Sequence, residues 1–212
     1  METQAVTLEP PDTSRIQALS DGVFAVALTL LLTTFDVMKM PPGLSEEKVR
    51  ALLASEWSDL LHFLESFVIV SAFWVEHHHQ FHHIRRYDLR LGLLNALGLL
   101  MVVLVPVTNS LVGDYGDLWI AAALFEANLL AAGAVFYLTW LHATAGRRLV
   151  DPRLDERVIR GLRNRSALIP LAALAALAVS PLSPRWSTLV LFLVPVLLFL
   201  VSRGKRATAR QA

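Results

Sequence analysis

The segment Glu76-His-His-His-Gln-Phe-His-His83 is the densest run of reactive side chains in the sequence. His78 and His82 are four residues apart, as are His79 and His83. On a helix each pair lies on one face, a spacing that lets two imidazoles share a metal ion. Imidazole also titrates in the physiological range, so the same run could report pH. Glu76 is the one carboxylate in the run and a further ligand set is lacking beside it. A histidine network without metal is therefore favoured over a metal site at His78 and His82. Two further acids, Glu65 and Glu126, stand inside apolar stretches. An acid in that setting either carries protons or ions across a membrane, as in a proton- or metal-coupled transporter, or hydrogen-bonds between helices. Ser66 and Asn128 are at hand for the second role.

A third group opens the segment RIQALSDGVFAVALTLLLTTF, residues 15–35. Arg15, Ser20 and Asp21 stand at its front edge, with Thr29 and Thr33 deeper in. At about 100° per residue, Leu19, Gly22, Val26, Thr29, Leu30 and Thr33 fall on one helical stripe, and Asp21, Ala25, Leu28 and Leu32 form a second. The first stripe is apolar with hydroxyls one turn apart. Taken alone, Thr29 reads as a hydroxyl bonding back to the carbonyl four residues earlier. Arg15 and Asp21 are six residues apart, about 240° around the axis, so one straight helix cannot pair them. A carboxylate at a membrane boundary must pair or reach water. Trp74, His77 and His78 at the end of the second apolar block and Asn95 near the start of the third lie at the same depth and are candidate partners, in this or a neighbouring subunit. Ser20-Asp21 also fits a helix N-cap.

The elements that must position these residues are membrane helices. The chain has 212 residues, of which 55% are hydrophobic and 17% charged, against about 25% charged in a typical soluble domain. Apolar residues gather in blocks at about 19–37, 57–76, 91–111, 118–141, 166–181 and 187–201. A crossing helix needs about 20 such residues. The last two blocks are shorter, and Pro181, Pro184 and Pro195 punctuate them; a helical hairpin turning at SPLSPRW is favoured over a single re-entrant segment. The fold class predicted is thus an all-α membrane protein with six spans, comprising a tail at 1–14, a six-span domain at 15–202 and a basic tail at 203–212. Of the 19 Lys and Arg residues, only Lys39, Lys48, Arg50 and Arg185 fall on one side of this arrangement. The rest mark the cytoplasmic side, with both termini on it. Loop 38–56 on the other side reads as a short surface helix beginning near Ser45, and Gly113-Asp-Tyr-Gly116 reads as a turn. The N-terminus lacks the basic region of a cleaved signal peptide. With no Cys, disulfides and thiolate metal sites are excluded. No Ser-His-Asp set, phosphate loop or nucleic-acid patch is present. The Arg-rich segment 146–165 suits lipid headgroups.

Arg15-x-x-x-Leu19-Ser20-Asp21, followed by Gly22, Ala25, Thr29, Leu30 and Leu31, resembles the signature of the transmembrane-protein-175 family, lysosomal potassium channels of animals with bacterial relatives. Phe73-Trp74-x-x-His77-His78, then Asn95 and Pro106, extends the resemblance. Leu19 departs from it, since the family usually has Phe there. The animal proteins carry two six-span repeats and pair up, so the resemblance implies that this single repeat forms a homotetramer in a bacterial inner membrane. It implies a potassium-permeable channel, modestly selective over other monovalent cations, with no cofactor and no enzymatic activity. Val26, Thr29, Leu30 and Thr33 are implied to line a central pore. Their apolar side chains would gate by dewetting, and the hydroxyls would replace part of a cation's water shell. Arg15, Ser20, Asp21, Trp74, His77 and Asn95 are implied to form a structural polar network holding the pore helices.

Overall fold

The computed structural model of the chain describes residues 13–33, 42–55, 57–187 and 189–191. Helices α1 (Ser14–Leu32), α2 (Glu46–Ser55), α3 (Trp57–His83), α4 (Leu89–Tyr115), α5 (Trp119–Thr144), α6 (Glu156–Ser166) and α7 (Leu168–Val179) follow in order. A further helical stretch starts at residue 184. Among the described residues, five stretches are long and apolar enough to cross a membrane: Ser14–Leu32, Leu60–His83, Leu89–Tyr115, Trp119–Arg147 and Glu156–Val179. The sixth predicted block, 187–201, and the two predicted tails fall almost wholly outside the described residues. α2 occupies the segment read as a surface helix, and the Ser45 hydroxyl accepts from the Lys48 amide.

The helices run further than the apolar blocks, and α4 takes in Gly113, Asp114 and Tyr115, so the turn expected over 113–116 begins only at Gly116. α1 begins at Ser14, so Ser20 and Asp21 sit in its second turn and the N-cap reading of that pair is replaced. α3 continues through the whole histidine run to His83, because neither Gly nor Pro interrupts residues 57–83. α6 and α7 abut at Ala167, which keeps helical dihedrals, so the fifth span is entered from Glu156. Asp155 starts α6 by accepting from the Arg157 amide at 2.8 Å.

α4 and α5 form the central pair, with α1 and α3 on one side and α7 on the other. Phe24, Leu31, Ile69, Phe73, Val102, Leu129, Phe136 and Ala173 belong to one buried cluster through the middle of the bundle. α4 tolerates Pro106 within it. The ring removes one amide donor, and Asn128 of α5 donates to the Met101 carbonyl nearby at 3.1 Å. α5 meets α7 closely where Gly133 faces Pro170; a Cβ at Gly133 would stand 2.7 Å from Pro170 Cδ. Small residues permit such approaches in membranes, where van der Waals packing replaces the hydrophobic drive.

A second cluster ties the α3–α4 and α5–α6 connections together at the Arg-rich end. Phe81, Ile84, Leu91, Trp140, Leu149, Val150, Ile159 and Leu162 belong to it. Ile84 and Val150 form an isolated antiparallel bridge. The indole of Trp140 donates to the Ile159 carbonyl at 3.0 Å. Arg147 adopts φ 57°, a left-handed conformation that is costly for a residue with a Cβ. Its guanidinium offsets this by donating to the carbonyls of Pro152 and Leu154 and to Glu156.

Candidate functional site

α1 presents two faces of opposite character. Ser20, Phe24, Ala27 and Leu31 are buried against α3 and α4. Leu19, Gly22, Val26, Thr29, Leu30 and Thr33 are all exposed, with Val26 at 55% and Leu30 at 40%. The exposed arc also takes in Ala25 and Leu32 from the second stripe. Gly22, Val26, Thr29 and Thr33 lie near its middle and Leu30 towards its edge. Thr29 Oγ1 donates to the Val26 carbonyl at 2.8 Å, and Thr33 Oγ1 to the Leu30 carbonyl at 2.7 Å. These are bonds to the carbonyl three residues back, rather than four. Each hydroxyl has one proton, so each oxygen keeps lone pairs for a ligand.

The buried side of α1 is pinned by polar contacts at the Arg-rich end. Asn95 Nδ2 donates to Ser20 Oγ at 3.2 Å, and Asn95 Oδ1 lies 2.8 Å from His77 Nε2. Because an amide oxygen only accepts, Nε2 carries the imidazole proton. His77 is stacked on Phe81 with centroids 4.2 Å apart and lies near Phe24. Ser20, His77 and Asn95 are all buried. Trp74 Nε1 donates to Asp21 Oδ1 at 2.8 Å on the exposed side of the same layer. Gln17 adds a bond from α1 to the Phe81 carbonyl at 3.1 Å. Arg15 stands apart: it is exposed, on the Gly22 side of α1, and has no side-chain partner among the described residues.

A neighbouring node escaped the reading of the sequence. Glu76 and Gln80, buried on α3, meet the α6–α7 junction. Arg165 Nε lies 3.1 Å from Glu76 Oε2, Ser166 Oγ donates to Glu76 Oε1, and Gln80 Nε2 donates to Ser166 Oγ and to the Phe136 carbonyl. The signals were the four-residue step from Glu76 to Gln80 and the Arg-Ser pair opening the fifth block. Neither announces the other, because 90 residues separate Glu76 from Ser166. The exposed histidines His78 and His82 point away from this node. No group of three or more His, Asp or Glu side chains able to hold a metal is present among the described residues.

Outside the spans, Asp88 caps α4. Its carboxylate accepts from the Leu91 amide at 2.7 Å and lies 2.9 Å from His142 Nε2. Partial burial alone would raise the Asp88 carboxyl, but the Leu91 amide and His142 outweigh it and hold the group below the usual carboxylate range.

The family model described as "Endosomal/lysosomal potassium channel TMEM175" matches residues 15–106, the part that holds α1, the α3 polar layer and Asn95. A potassium channel of Streptomyces collinus is 33% identical over 182 residues, covering 81% of this chain and 86% of that one. The crystal structure of a lysosomal potassium-selective channel TMEM175 homolog from Chamaesiphon minutus superposes with a TM-score of 0.74 at 30% identity, covering 89% of this chain and 96% of that one. The bovine endosomal/lysosomal proton channel TMEM175 is 36% identical over 104 residues, 47% of this chain and 22% of its own length. With this helical order, and with relatives matched over nearly their full length, the chain belongs to the TMEM175 family, a family of ion channels and not of enzymes.

Proposed function

We propose that the chain is a potassium-permeable, modestly potassium-selective cation channel, built as a homotetramer around the exposed face of α1. The observation that carries this reading is that face itself. It bears Arg15, Thr29 and Thr33 among its apolar residues and has no partner among the described residues, whereas the exposed stripe through the middle of α4, with Leu93, Leu97, Leu100 and Val107, is apolar and suits lipid. Polar groups within a span turn towards water or other protein. Four copies of α1 would satisfy that demand by enclosing an axis. Val26 and Leu30 then form an apolar constriction, and the free lone pairs of Thr29 and Thr33 stand in for part of a cation's water. The naming of relatives as potassium channels and as a proton channel supports a pore for small cations.

In this assembly Ser20, Asp21, Trp74, His77 and Asn95 fix the rotation of α1, and Arg15 finds its counter-charge across the subunit boundary. Both termini lie on the cytoplasmic side, as the Lys and Arg distribution favours. The bacterial sources of the full-length relatives favour a bacterial inner membrane. The test is a planar-bilayer recording of the purified protein between potassium and sodium solutions. The reading expects ohmic single-channel currents and a reversal potential favouring potassium, moved towards zero by Thr29→Val. Saturable flux without unitary currents would point to a carrier instead, and an unchanged reversal potential in the variant would remove Thr29 from the selective ring.

A further inference from the structure

We propose that each chain holds a proton-exchange site away from the α1 face, made of Glu65 and Glu126 and reached through His62 from a cavity at the end of the bundle opposite the Arg-rich one. The cavity measures about 840 Å³ and opens between the start of α3, the α4–α5 turn and the turn after α7. His62, Asp114, Asp117 and Arg185 are among its lining residues. His62 also looks inward: its Nδ1 lies 3.7 Å from Glu65 Oε2. Glu65 is 3% exposed and Glu126 1% exposed, and they are within electrostatic reach of one another across α3 and α5. Among the described residues, Glu65 Oε1, Glu65 Oε2 and Glu126 Oε2 have no hydrogen-bond partner.

Two buried carboxylates within electrostatic reach, three of whose four oxygens lack a partner among the described residues, cannot both stay charged, because an uncompensated charge in a low-dielectric interior is far costlier than a neutral acid. The surroundings show what compensates. Ser180 and Ser187 flank Glu126. A serine has one hydroxyl proton, and Ser180 donates its own to the Leu177 carbonyl at 3.0 Å while Ser187 donates to the Pro184 carbonyl at 2.8 Å. While its proton is committed to that carbonyl, each hydroxyl has only an acceptor oxygen to offer the acid. A carboxylic acid can donate to them; a carboxylate cannot. Nearby, Ser66 and Asn109 hydrogen-bond each other at 2.6 Å, and Ser66 donates its proton there rather than to Glu65. The charged and titratable groups around the site are thus His62 from α3 and Glu126 from α5, with Asp114, Asp117 and Arg185 around the cavity.

His62 provides the route. Its separation from Glu65 is an ion-pair distance and too long for a hydrogen bond, so a small ring rotation or one bridging water completes the path. A proton from cavity water binds one ring nitrogen, the proton on Nδ1 passes to Glu65 Oε2, and the imidazole is left neutral in its other tautomer. Nothing is consumed, and the reverse sequence returns the proton to the cavity.

Infrared difference spectra of the full chain in liposomes, recorded across pH steps and in H2O against D2O, test this. The expected result is a protonated-carboxyl C=O band that loses one component in Glu65→Gln, another in Glu126→Gln, and shifts in frequency in Ser180→Ala, which keeps both acids. In His62→Phe the band should persist while its deuterium exchange slows several-fold. A spectrum without such a band, or one indifferent to both Gln variants, overturns the site. A Ser180→Ala band at the unchanged frequency removes Glu126 from it, and unaltered exchange in His62→Phe overturns the route. The readout needs no ion conduction, so its failure is distinct from failure of the channel reading.

Discussion

Asn95 is the residue on which the orientation of α1 turns, because it serves two buried partners at once. Its amide donates to Ser20 and its oxygen accepts from His77. Asn95→Ala leaves both without a partner in a buried layer, and each orphaned group costs about 1–3 kcal/mol. Thermal unfolding in detergent should show that loss, whereas Arg15→Ala, which breaks no bond among the described residues, should leave the unfolding of the single chain within about 0.5 kcal/mol. Equal losses would mean that the two residues anchor the same chain. Asp88 makes a different kind of prediction, concerning pH. Its carboxyl is held below its ordinary value in the folded chain, so its stabilisation is complete above the unfolded value, about 3.9, and is lost as pH falls through the lower folded value. Asp88→Asn keeps an oxygen to cap the Leu91 amide and removes only the charge. The variant should therefore lack this component of acid destabilisation while keeping α4 intact. An acid limb identical to that of the parent chain would assign the effect elsewhere.

Element by element, what the sequence could disclose depended on whether the signal was local. The exposed stripe of α1 was readable because a helix converts spacing into a face, and Val26, Thr29 and Thr33 needed nothing else. The common depth of Ser20, Asp21, Trp74, His77 and Asn95 was readable from where the apolar blocks end. Which of them would bond was not: Asn95 takes Ser20 and His77 and leaves Asp21 to Trp74, a choice set by the placing of α1 against α3 and α4. The start of α1 at Ser14 was missed because hydropathy begins where lipid begins, whereas a helix continues into water. The Gly133 contact with Pro170 was hidden for the same reason as the Glu76 node, since it joins α5 to a helix that only the fold brings near. It is now testable. Gly133→Ala places a Cβ 2.7 Å from Pro170 Cδ and 3.0 Å from Pro170 N. Neither a proline ring nor a backbone can yield as a flexible side chain does, so overpacking should cost about 1–3 kcal/mol. Gly22→Ala, whose Cβ meets nothing within 4 Å, is the control; if thermal unfolding finds the two alike, α5 and α7 are not close-packed there.

At the scale of the whole molecule, the proposed pore makes a single chain an incomplete object. Its described polar interior groups are largely matched within the bundle, but α1 carries Arg15, Thr29 and Thr33 on the face that it turns away from the bundle. The proposed ring of subunits would turn that face towards its own copies, and closed symmetry would make the contact repeat around the axis. The lack of cysteine gives a clean background for the test. Gly22→Cys puts a thiol at the middle of the exposed arc of α1, where space within the chain is open. Leu97→Cys puts one on the apolar face of α4. If α1 helices converge on an axis, oxidation should link Gly22→Cys chains into dimers on a denaturing gel, since only thiols brought within about 7 Å at their Cα atoms can bridge. A charged thiol reagent should also reduce potassium flux through reconstituted Gly22→Cys protein. Leu97→Cys should show neither effect, because lipid surrounds it. Cross-linking at Leu97 together with silence at Gly22 would place α4, and not α1, at the axis.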